Sequence, residues 1–105
     1  MSSEDTESVV EDAQNALNDA RARLAEIPVE TVVVNHVMGL YELAAIHLGA
    51  DPPRLGEASL AIDAVACLVE GLGSRLGEEA STLTIALSNI RLAFVQIKAA
   101  TLAGN

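Results

Sequence analysis

The stretch "VVVNHVMGLYELAAIHLG", residues 32–49, decides how this chain is read. It is apolar on nearly every side, yet Asn35, His36, Glu42 and His47 interrupt it. Taken from Val29 to Leu48 it makes a helix long enough to cross a membrane. A glutamate in the middle of such a span is costly in hydrocarbon, and neither a basic flank nor an aromatic belt marks its ends. The other reading is a helix covered by protein on more than one side. Val33, Val34, Val37, Met38, Leu40, Tyr41, Ala44, Ala45 and Leu48 occupy about half of its circumference, and Val32, Leu43 and Ile46 lie opposite. Gly39 and the Ala44–Ala45 pair would let a second backbone approach closely. The expectation is a central packing and oligomerisation helix, with no membrane contact.

Composition points the same way. The chain has 105 residues, one domain by length, and half of them are hydrophobic, which excludes disorder for most of it. Tyr41 and Phe94 are its only aromatic residues, so the core is built from Leu, Val, Ile and Ala, a mixture that favours helices. The formal net charge is −9, and Arg21, Arg23, Arg54, Arg75, Arg91 and Lys98 are scattered rather than clustered. Nucleic-acid binding depends on basic groups displacing counterions, so direct contact with DNA or RNA is not expected. Cys67 has no CxxC partner and reads as a small buried hydrophobe in a reducing compartment. The acidic start "MSSEDTESVVED" is unlike a secretory signal, and the expected location is cytoplasmic.

Working outward from the central stretch, residues 1–7 read as a flexible acidic leader and 8–27 as an amphipathic helix. Val9, Ala13, Ala16, Leu17, Ala20, Leu24 and Ile27 form one stripe there, as in a peripheral helix that covers one neighbour. Residues 1–28 carry seven acids and two arginines, a charge of −5, and suit a basic protein partner. Pro28 ends that helix and starts the next. Residues 28–102 form the expected helical core domain, with 103–105 as a tail. Gly49 is a natural glycine cap for the central helix, and "GADPPRLGE" is a loop. A third helix, from Pro53 or Leu55 to Leu72, shows the stripe Leu55, Ala58, Ile62, Val65, Val69 and Leu72. "GLGSRLG" reads as a tight turn, with Gly77 as the cap of a fourth helix from about Glu78 to Thr101. That helix has a seven-residue rhythm, Leu83, Leu87, Ile90, Phe94, Ile97 and Thr101, and a second apolar set, Ile85, Leu92, Val95, Ala99 and Leu102. The second and fourth helices therefore carry more apolar surface than one small chain hides. Each buried leucine contributes about 1.5–3 kcal/mol, so self-association is expected.

"LAAIHLG", "AIDAVACLVEGLGSRLGEEAS" and "ALSNIRLAFVQI" resemble a small bacterial family, domain-of-unknown-function family 1844. The positions that carry the resemblance are His47, Leu48, Gly49, Ile62, Asp63, Leu68, Glu70, Leu76, Glu78, Glu79, Ile90, Arg91, Leu92, Phe94 and Val95. It covers roughly residues 33–98 and leaves the acidic first helix outside. It implies an all-helical cytoplasmic protein and no known activity. Gly-Ser-Arg stands where the family pattern has a Lys-Gly-Asn kind of turn, and Gly77 stands where a Thr or Ser cap is usual.

Candidate chemistry is sparse. His36 and His47 share a helix face but lie about 16 Å apart along the axis, too far to meet on one ion. No HxxxH, HxxE or ExxH spacing occurs in that helix, although a dimer axis could unite two copies of one histidine. The structural reading makes His47 a hydrogen-bonding residue near the helix C-terminus and His36 a partly buried polar residue. Asn35 and Glu42, two turns apart, are either a polar seam that fixes register or an exposed face. Asp63 and Glu70 repeat that spacing about 10 Å apart on a solvated side. Arg91 is an isolated cation that pairs with Glu70, Asp63 or a partner carboxylate. Cys67 has no activating neighbour in sequence, and "GLGSRLG" follows a helix rather than a strand, so it is no phosphate loop.

The expectation is therefore an all-α protein: a small helical bundle of three core helices plus an amphipathic N-terminal helix, assembled as a homodimer. It has no catalytic, cofactor-binding or metal-ligating residues and acts as a non-enzymatic interaction module. The alternative is a small-ligand or metal-binding protein in which His36, Glu42 and His47 line a site at the subunit interface.

Overall fold

A computed structural model describes residues 3–104, whose regular structure is entirely helical, with no strand among them. In chain order come α1 (Ser3–Glu26), α2 (Val29–Leu48), α3 (Leu55–Leu72), a 3-10 segment (Gly73–Glu79) and α4 (Ala80–Ala103). Three helices pack together: α3 lies between α2 and α4, and α2 touches α4 only slightly. The arrangement is long and thin, 70 × 35 × 15 Å. Its radius of gyration is 20.8 Å, against about 13 Å for a compact domain of this length.

The α2–α3 hairpin forms around alanine. Ala44 and Ala58 are wholly buried and Ala61 nearly so, and small side chains at a crossing let two helix axes come close. Val37, Leu48, Ile62, Val65 and Val69 fill the space on either side. At the closed end the Gly49 N–H donates to the Ala45 carbonyl at 2.9 Å. The Arg54 N–H donates to the His47 carbonyl, also at 2.9 Å, so the proline-containing loop is tied to the last turn of α2. Gly49 caps that helix as expected, but in a right-handed conformation (φ −83°).

The link from α3 to α4 is longer than a tight turn. Gly73 (φ 54°) ends α3, and the 3-10 segment then runs to Glu79 with Leu76 buried as its anchor. Gly77, expected as the cap of the last helix, instead reverses the chain inside the segment (φ 80°, ψ −145°), and Glu79 precedes α4. That position is open to glycine and nearly closed to other residues. Leu83, Leu87 and Ile90 of α4 then enter the core, with Phe94 and Ile97 half-buried behind them.

α1 departs from expectation. It begins at Ser3, so residues 3–7 belong to the helix rather than to a leader, and Glu4 and Asp5 sit in its first turn, where carboxylates suit the helix dipole. Residues 1 and 2 lie outside the described residues, as does Asn105 of the expected tail. Ala103, expected in the tail, ends α4. None of the α1 residues is buried, and the helix packs on no other element. The stripe covers no neighbour, and the packed bundle has three helices. A two-residue link, Ile27–Pro28, leaves α1 standing off its end.

Candidate functional site

Each polar residue of α2 can now be placed. Asn35, His36 and Glu42 are exposed on the side away from α3. That excludes a buried polar seam at Asn35 and Glu42 within the chain. His36 is not partly buried, and its Nδ1–H donates to the Val32 carbonyl one turn back at 2.8 Å. His47 is half-buried, but its Nδ1 is enclosed without a hydrogen-bond partner, contrary to the expected bond near the helix C-terminus. His36, Glu42 and His47 are thus not gathered into one site by the fold of a single chain. Among the described residues no three His, Cys, Asp or Glu side chains converge as ligands for a metal ion.

The remaining candidate residues separate in the same way. Arg91 pairs with Glu70, its Nη2–H donating to Oε1 at 2.7 Å and joining α4 to α3. Both side chains remain about half exposed, so this surface pair contributes at most about 1 kcal/mol. Asp63 lies beside Arg91 in a shallow groove of about 300 Å³ with Phe94 and Val95. Cys67 is exposed rather than buried. Sequence reading missed a larger open groove between α2 and the 3-10 segment, about 590 Å³, flanked by Glu30, Asn35, Glu78 and Glu79. No local signal marks it, because residues near 30 and near 78 meet only through the fold.

The surface that stands out is apolar. Among the described residues fourteen large apolar side chains are exposed and nine are buried. Six line α1 and the start of α2, from Val9 to Val29. Met38, Leu43 and Ile46 lie on α2, and Leu60 on α3. On α4, Ile85, Leu92, Val95 and Leu102 are each about 60% exposed, so the second apolar set is free along its whole length. At 100° per residue this set lies roughly 150° around α4 from the Leu83–Leu87–Ile90 core face. By length and composition α2 is also apolar enough to cross a membrane, although little of it is buried in the chain. No protein-family model, curated protein or solved structure matches this chain.

Proposed function

We propose that this protein is a non-enzymatic interaction module that self-associates, as a homodimer, through the apolar faces of its helices. The observation that carries the reading is the outer stripe of α4, together with Leu43 and Ile46 on α2. A soluble monomer rarely leaves an apolar stripe running the length of a helix uncovered, and closing it against a second copy removes it from water. The polar face of α1, with Glu11, Asp12, Asp19 and Glu26 along it, then remains outward for a basic protein partner. The same reading makes α2 a packing helix of a cytoplasmic protein, with no membrane and no nucleic acid among its partners. The resemblance to domain-of-unknown-function family 1844 agrees with an all-helical chain and assigns it no activity. Molar mass measured by light scattering across a dilution series tests the reading. A stable dimer is expected; a monomer at every concentration overturns it.

A further inference from the structure

Two uncovered helix faces in this chain match each other. In α1 the residues Val10, Ala13, Leu17, Ala20 and Leu24, continued by Ile27 just past its end, follow a strict three-four spacing. In α4 the outer stripe has the same spacing and length: Ile85, Ser88, Leu92, Val95, Ala99 and Leu102. Both helices are 24 residues long. A three-four repeat on two helices is the pattern by which they wind around one another, knob into hole. Net charge favours the pairing at the level of whole helices: among the described residues α4 carries Arg91 and Lys98 and no carboxylate, whereas α1 has seven carboxylates and two arginines.

We infer that α1 of one copy docks along the outer stripe of α4 in a second copy, and that this helix exchange is how the chain self-associates. The inference rests on the self-association proposed above. The second copy, rather than the same chain, is required by reach. The outer stripe faces away from the side of α4 that meets α2 and α3, and packed helix axes lie about 8–10 Å apart. A helix on the outer stripe is therefore roughly 16–20 Å from α2, two helix spacings away. The two-residue link Ile27–Pro28 lets the end of α1 lie at most about 11 Å from the start of α2. It cannot carry α1 around its own α4, but it leaves α1 free to reach the α4 of a neighbour. On docking, the carboxylates of α1 remain on the far side of that helix, because Glu11, Asp12, Asp19 and Glu26 lie opposite its apolar stripe.

The test uses the full chain and two double variants at exposed positions, Leu17→Asp with Leu24→Asp in α1, and Leu92→Asp with Val95→Asp in α4. Light scattering gives their association, and circular dichroism checks that the bundle persists. Each pair is expected to weaken the dimer at least about a hundredfold. A dimer lost in the α4 variant but untouched in the α1 variant overturns the exchange and leaves self-association standing. A wild-type monomer at all concentrations overturns both. A second measurement mixes the two variants, because a chain altered in α1 keeps an intact α4 and a chain altered in α4 keeps an intact α1. Partial recovery of the dimer on mixing is expected, since one unaltered α1–α4 contact is then available; no recovery at any concentration overturns the exchange.

Discussion

Gly77 shows at the residue scale how one conformation places a whole helix. Its φ of 80° and ψ of −145° sit where a Cβ is strained, whatever space surrounds it. Gly77→Ala is expected to lower stability by about 1–3 kcal/mol, read as a shifted urea midpoint with an unchanged slope. Leu87 and Leu92, on opposite sides of α4, give a sharper contrast. Leu87 is buried, and Leu87→Ala should cost about 2–5 kcal/mol through transfer and cavity terms. Leu92 is 57% exposed, so Leu92→Ala should leave the unfolding of dilute chains within about 0.5 kcal/mol and weaken only their association. Arg91→Ala should likewise fall within about 1 kcal/mol, because its ion pair with Glu70 is wet on both sides. The Glu70–Arg91 pair stood among the options open to sequence reasoning, since a lone cation on an apolar helix needs a carboxylate. The exposure of Cys67 was missed because cysteine among Ala, Val and Leu has the composition of a core residue, although the α3 stripe, about 170° away around the helix, already places it outward.

At the scale of elements, α2, α3 and the buried heptad of α4 were legible because each carries its own period in its own residues. The three-helix packing followed from those stripes. What was not legible was the fate of α1. An amphipathic stripe states that a helix has something to cover, and not where that surface is. The 3-10 segment was hidden for a related reason, since its course is set by Leu76 entering a core that other helices build. Of the candidate-site features, the separation of the two histidines is set by their eleven-residue spacing on one helix, whereas the acidic groove at Glu30, Glu78 and Glu79 needed the fold to assemble it. Most helical stability in proteins comes from packing of the amphipathic face, which α1 lacks in a single chain. α1 should therefore exchange its amide hydrogens rapidly in dilute solution and slowly at concentrations where chains associate, while α3 stays protected in both. Hydrogen exchange followed by mass spectrometry reads both at once, and protection of α1 that ignores concentration would contradict its docking in a second copy.

At the scale of the molecule, the interface-metal alternative makes its own prediction: protein purified without chelator should carry stoichiometric metal, lost in His47→Ala. Under the interaction reading, elemental analysis should find less than one metal per dimer and His47→Ala should leave the molar mass unchanged. The standing-off of α1 has a further consequence, for turnover. Arg21 and Arg23 lie in that helix, where no packing opposes local opening. A trypsin-like protease meeting a lone chain would cut there first and leave the rest of the bundle intact. The clipped chain would keep its core and lose the helix it lends to others, whereas a chain with α1 docked would be shielded. Chains that fail to find a mate would thus be retired from the pool, and survival would itself select for the assembled form.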